Sequence, residues 1–352
     1  MNLRMMAHSQ AAARITIGAV LLALAPCAVP VFANPGAVSS PDSAASLQAA
    51  QNQFSAGNYS AAVTTLQALI MNDASNATAY YWLGRSYYEL HDYDNAIMQG
   101  EKSVSLDPNN SLYHQWLGEE YGGAADRDRS FSDAKKVKKE FQAAVSLNPS
   151  NIIARRDLEQ YDLDAPWIVG GDKTEALDQV NAIAALDPIQ GHLARGAYAR
   201  GMKKMDQAES EFRLVLSAKS APLDAYFDVA EFFERQNMPS DLDAAIEAAA
   251  KVNPSDPRLA FYRGVKVVLA ASSASSAPDL TAAEPNLKSY LANTPDRSDW
   301  PTHAAAREWL GRLYEAQGKN SEAAEQYRAA LQLDPKRKSA KARLDKLGKD
   351  YR

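Results

Sequence analysis

Three places in the chain carry Trp-Leu-Gly, two further residues and then Tyr. They are Trp82-Leu83-Gly84 with Tyr87, Trp116-Leu117-Gly118 with Tyr121, and Trp309-Leu310-Gly311 with Tyr314. Gly84 and Gly118 stand 34 residues apart. A fixed period of that length points to an array of small, similar units rather than one globular core. The match extends downstream. Tyr93, Ala96 and Asp107-Pro108 follow the first copy, and Gly318, Ala323, Tyr327, Ala330 and Asp334-Pro335 follow the last. Pro108 and Pro335 each lie 24 residues past their Gly. Proline has no backbone N–H to continue a helix, so each marks a unit boundary.

Within a unit the apolar residues recur at helical spacing, as at Tyr80, Leu83 and Tyr87 and then at Ala96 and Ile97. Gly84 and Ala96 lack bulk where two helices must approach closely. Asn58, His91 and Gly318 fall in the short turns between paired helices. One such pair cannot bury its apolar face alone, so units must stack into one elongated core.

These residues resemble the tetratricopeptide repeat (TPR), a helix–turn–helix unit of 34 residues. The resemblance implies an all-α, right-handed α-solenoid of about eight units, at 43–76, 77–110, 111–151, 152–188, 189–222, 223–256, 257–303 and 304–337. A capping helix is expected at 338–350. Three units depart from the pattern. The third holds about seven extra residues around Gly122 to Ser132. The fourth lacks Trp-Leu-Gly and places Ala165 to Asp172 between its helices. The seventh holds the low-complexity run Ala271 to Pro278. The stretch from Ala165 to Ala194 also resembles a subgroup of bacterial TPR proteins.

Residues 1–33 read as a secretory signal peptide. Arg4 and Arg14 form its basic region, and Ile15 to Ala25 is an apolar run too short to span a bilayer. Val31-Phe32-Ala33 offers a cleavage site before Asn34. A lipid anchor on Cys27 is disfavoured, because Pro26 stands where such a box wants a small residue. Residues 34–42 are expected to form a flexible leader, and the mature protein to be periplasmic or secreted with no membrane span. Cys27 is the chain's one cysteine, so neither a disulfide scaffold nor a thiolate zinc site can form.

No catalytic, cofactor or metal constellation emerges. Gly171-Asp172-Lys173-Thr174 has the look of a phosphate loop, yet Asp172 separates Gly from Lys and Pro166 replaces the needed Gly. The plainer expectation is that Asp172 or Thr174 caps a helix. His91, His114, His192 and His303 lie in four different units, without partners at ligand spacing. No Gly-x-Ser-x-Gly is present. The lysine run Lys135 to Lys139 and the basic C-terminus read as solvated faces.

The resemblance implies that first helices line a concave groove. On the second unit the groove positions are Thr78, Tyr81, Arg85, Tyr88 and Glu89, with Tyr80, Leu83 and Tyr87 on the packing side. Gln115 and Glu119 continue the groove in the third unit, and Phe227, Glu231 and Glu234 in the sixth. Tyr81, Arg85 and Tyr88 share one helix face and are expected to be open to solvent. Leu47, Gln51, Tyr81 and Arg85 replace the Lys and Asn with which some family members clamp a C-terminal carboxylate. The net charge of −5 and the groove acids argue against nucleic acid as partner. The expected function is a non-enzymatic, exported scaffold or adaptor that binds protein or peptide segments. The alternative is a structural component of an envelope export or outer-membrane assembly, using the convex face or the cap.

Overall fold

A computed structural model describes residues 41–273 and 279–348. The signal segment, Cys27, Asn34 and most of the run Ala271 to Pro278 lie outside the described residues. Among those described, every regular element is helical, and the chain is an all-α solenoid.

The helices come in pairs. The first members are α1 (Pro41–Ser55), α3 (Ala77–Glu89), α5 (Ser111–Asp128) and α7 (Ile152–Asp164), then α9 (Pro188–Gly201), α11 (Leu223–Arg235), α13 (Arg258–Ser273) and α15 (His303–Ala316). Their partners are α2 (Tyr59–Asn72), α4 (Tyr93–Leu106), α6 (Phe131–Leu147) and α8 (Lys173–Leu186), then α10 (Met205–Ser217), α12 (Pro239–Val252), α14 (Ala283–Asn293) and α16 (Asn320–Leu333). A last helix, α17 (Lys338–Leu347), packs on α16. Helix α1 already begins at Pro41, so the end of the expected leader is helical.

Local chemistry explains the boundaries. Asn76, Asp92, Asn110, Ser130, Asn151, Asp172, Asp187 and Thr302 each accept a backbone N–H from the first turn of the helix they precede. Such caps satisfy donors that have no intrahelical partner. Six first helices hand over to their partners through one left-handed residue: Gly57, His91, Arg129, Lys203, Asn237 and Gly318. Gly57 and Gly318 take that conformation without the strain a Cβ brings. His91, at φ 59°, holds the position that Gly318 holds in the last pair.

The extra residues of the third unit lengthen α5 to 18 and α6 to 17 residues instead of forming a loop. In the fourth unit a short 3-10 turn, Trp167–Val169, joins α7 to α8, and the Tyr161 hydroxyl donates to the Val169 carbonyl at 2.7 Å.

Ala96 and Ala323 are fully buried between paired helices. Neighbouring first helices also touch one another, from α1 and α3 through to α13 and α15. They therefore converge on a shared interior, and the second helices form the outer layer. The α14–α15 connection crosses that interior. Pro295 packs against Gly57, the Tyr59 hydroxyl donates to the Asp296 carbonyl at 3.1 Å, and Ser298 bonds Glu89. Lys336, beside the cap, reaches Asp126 of α5 at 3.2 Å. The last units are thus held against the first ones.

Candidate functional site

The second unit departs most from the expected arrangement. Tyr81 and Tyr88 are not open to solvent; they are 5% and 8% exposed. Tyr80 and Tyr87, expected on the packing side, are only half-buried. The cause lies in the neighbouring first helices. The Tyr81 ring packs on Tyr113 and Trp116 of α5, and Tyr88 packs edge-on against Tyr93 and Trp116. Helix α5 covers the face that a more open solenoid would leave bare.

Arg85 is half-buried within the same cluster. Its guanidinium lies 4.0 Å from the Trp116 ring centre and 4.5 Å from that of Trp82, and it donates to the Tyr81 hydroxyl at 3.1 Å. Cation–π contacts of this kind hold an arginine to its own protein. Thr78 is hydrogen-bonded to Tyr113 at 2.8 Å. Below Arg85, the buried Glu120 carboxyl fills the room left by Gly84 and Gly100, where a Cβ would fall 2.3 and 1.8 Å from its oxygens. Burial pushes Glu120 well above the usual carboxylate range.

The other groove candidates divide similarly. Gln115 is buried and donates to Asp157 at 2.7 Å. Phe227 is buried beneath the Arg258 guanidinium, 3.9 Å from the ring centre, and stacks on Tyr262. Glu119 and Glu231 are half-buried and line an inner cavity. Glu231 pairs with Arg235 at 2.7 Å.

Two cavities open among the described helices of the interior. The larger, about 820 Å³, is bounded by α11, α13, α15 and α17, with Trp300, Trp309 and Arg312 in its wall. There Trp309 donates its ring N–H to Glu234 at 2.8 Å. Burial raises the Glu234 pKa to about 7, against the lowering effect of that bond. The smaller, about 170 Å³, is enclosed mainly by α3, α5, α7, α9 and α11. Asp228, Glu231, Arg235 and Ser298 line both, so the two spaces adjoin. Arg156 bonds Asp228 at 3.0 Å across the smaller one. Burial raises its neighbour Glu159 to about 8, against the pull of Arg156 and Arg200.

Of the expected groove residues, Tyr88, Glu119, Phe227, Glu231 and Glu234 lie in the walls of these cavities, Tyr88 and Phe227 as buried side chains. Arg156, Glu159 and Arg235 also line them without any sequence signal, and Trp309 does so although its motif marks only a packing position. A register from the Trp-Leu-Gly units cannot be carried through α7, which lacks that signature. Asp172 accepts from the Thr174 and Glu175 backbone N–H groups, at 2.7 and 3.4 Å, and so caps α8. Among the described residues no group of three or more His, Cys, Asp or Glu side chains is placed to hold a metal ion, and no helix is long and apolar enough to cross a membrane.

The tetratricopeptide repeat profile matches residues 47–111 and 268–338. Residues 47–111 and 268–338 are therefore tetratricopeptide repeats, and further helix pairs run between them. The fold is similar to that of a thermophilic TPR protein of Thermus thermophilus, at 19% identity over 54% of this chain and 98% of that one, TM-score 0.44. It is also similar to a TPR protein of Parabacteroides merdae, at 12% identity over 85% of this chain and 96% of that one, TM-score 0.48. No curated protein matches the chain.

Proposed function

We propose that the protein is a non-enzymatic, exported adaptor that binds a segment of another protein on its inner face. One observation carries this reading: first helices from α3 to α15 wall two adjoining cavities with aromatic rings and charges of both signs. Repeat solenoids use such inner surfaces for extended ligands. Arg and Trp in the walls are side-chain types enriched where binding energy concentrates. The contact residues are Glu231, Arg235 and Trp309, with Glu119 at the far side; Tyr81, Arg85 and Tyr88 support that wall from within.

The test replaces Glu231 and Arg235 together by Ala and compares the proteins captured with those of the wild type. Loss of specific partners at unchanged helicity is expected. An identical partner set from the folded double variant would overturn the inner-face reading.

Export rests on Arg4, Arg14, the apolar run and Val31-Phe32-Ala33. A mature N-terminus at Asn34 in the exported fraction is expected. An intact Met1 or an acylated Cys27 would contradict it.

A second reading, a structural subunit of an envelope assembly, is favoured by one observation. Trp167 and Ile168 stand 84% and 50% exposed on the α7–α8 turn. Paired exposed apolar residues of this kind suit a contact with another subunit.

A further inference from the structure

The connection between α14 and α15 touches the first units in the way a bound peptide would. Thr294 is extended, with φ −122° and ψ 143°, and residues 295–297 have no regular structure. Pro295 covers the bare Cα of Gly57, where a Cβ would fall 2.3 Å from the Pro295 Cβ. The Tyr59 hydroxyl donates to the Asp296 main-chain carbonyl at 3.1 Å. Glu89 accepts the Ser298 main-chain N–H at 3.2 Å and the Ser298 hydroxyl at 2.8 Å. Two of these three bonds reach main-chain groups, which every chain segment carries. Selectivity is left to the proline ring and the serine hydroxyl.

The receiving side is built for such a segment more than for its own helix. Glu89 closes α3, where the helix dipole disfavours an acid. Two arginines act on it electrostatically, and both are engaged elsewhere. Arg297 pairs with Asp299 at 2.6 Å, and Arg85 lies between Trp82 and Trp116. The direct donors to Glu89 are the two neutral groups of Ser298.

Position gives the contact a consequence. Helices pack mainly on those one or two places along the chain, whereas this contact spans 209 residues. Ser298 lines both inner cavities, so the segment lies where the two spaces adjoin. Lys336 and Asp126 also tie late to early units, but they form an exposed pair of the kind that adds little. The segment also shapes itself: Arg297 pairs with Asp299 and lies 4.9 Å from the Trp300 ring centre. A short peptide of the same sequence keeps those contacts.

We propose that Gly57, Tyr59 and Glu89 form a binding site for a non-helical Pro-x-x-Ser segment, and that Pro295 to Ser298 are its resident ligand, which a segment of a partner protein displaces on reaching the inner face. The proposal rests on the inner-face reading and gives it a ligand chemistry and a means of control. A tether holds its ligand at an effective concentration of about 1 mM. A second copy of the chain offers the same segment with nothing added, so it does not outcompete the resident one. A partner that also contacts the cavity walls does.

The probe is acetyl-Thr-Pro-Asp-Arg-Ser-Asp-Trp-amide, the sequence of residues 294–300, with a control peptide carrying Ala for the Pro and the Ser. Both are titrated by calorimetry into the whole wild-type protein and into Pro295→Ala plus Ser298→Ala, which loosens the resident segment. The probe is expected to bind the double variant at least ten-fold tighter than it binds wild type, and at least ten-fold tighter than the control does. Adding Glu89→Ala to the variant is expected to weaken the probe at least ten-fold. No binding at about 1 mM probe, equal binding of the two peptides, equal binding by wild type and double variant, or indifference to Glu89→Ala would each overturn the proposal. Wild-type protein supplies a second readout where a variant fails to fold: the probe, and not the control, is expected to speed amide hydrogen exchange across residues 296–300. Unchanged exchange there would then overturn the proposal alone. Failure here with loss of partners on Glu231 and Arg235 substitution would leave the inner-face reading intact, and the reverse pattern would leave the peptide site intact.

Discussion

Ser298 gives both its backbone N–H and its hydroxyl to the carboxylate of Glu89, at 3.2 and 2.8 Å, across 209 residues of sequence. The contact joins the α14–α15 connection to the end of α3. The same connection packs Pro295 on Gly57, so it is docked at more than one point. Hydrogen bonds to a charged group contribute about 1.5–3 kcal/mol. Glu89→Ala should therefore speed hydrogen exchange at the Ser298 amide and cost about 1–3 kcal/mol. Ser298→Ala on top of it should add little, because the two residues share one interaction. Full additivity in a double-mutant cycle would show that the two do not interact.

Arg85 offers a sharper contrast. On an open groove it would be dispensable for folding, since exposed substitutions shift stability by less than about 0.5 kcal/mol. Wedged between Trp82 and Trp116, Arg85→Ala should instead cost about 2 kcal/mol in chemical unfolding. A change within about 0.5 kcal/mol would contradict its burial.

Gly84 and Glu120 form a pair of the opposite kind, in which one side chain needs the other's absence. Gly84→Ala gains about 1 kcal/mol of helix propensity but sets a Cβ against a buried carboxyl. Net destabilisation of about 1–3 kcal/mol is expected, as for other overpacked cores. Adding Glu120→Ala should recover part of that loss. Equal stability of Gly84→Ala and wild type would remove the assigned role of the glycine.

Glu159 makes stability depend on pH. An acid whose pKa is raised on folding holds its proton more tightly in the native state. Its contribution is present below about 4.5, the ordinary glutamate value, and is lost as pH climbs through about 8. That shift corresponds to an upper bound on the order of 5 kcal/mol. Glu159→Gln should be more stable than wild type at pH 9 and close to it at pH 4. Parallel stability curves for the two proteins between those limits would refute the burial-driven shift.

Much of the fold was legible because its causes are local. Trp-Leu-Gly, the boundary prolines and the Asp172 cap act within a turn or two of themselves. Ala96 and Ala323 lie at close helix contacts, where they are wholly shielded from solvent. The face of α3 was not legible. Tyr80 and Tyr81 are adjacent and chemically identical, and which one is buried depends on how tightly α5 approaches. The dock at Glu89 had no signal either, since nothing near residue 89 refers to residue 298. The same holds for Arg156 and Asp228, brought together across 72 residues by the curvature of the solenoid. Phe227 and Gln115 lie on first helices, as the repeat register requires, but their side chains serve the interior instead of solvent.

The central claim, that partners are held on the inner face, is tested most directly by a photocrosslinking amino acid. Benzoylphenylalanine is placed at Arg235, on the wall shared by the two cavities, and in a second protein at Trp167, on the outer turn. Both proteins are irradiated in cells, and the adducts are identified by mass spectrometry. The expected result is a discrete adduct from position 235 that disappears when Glu231→Ala is added, with none of the same mass from position 167. An adduct from position 167 with none from position 235 would contradict the inner-face reading and establish the outer turn as the contact surface.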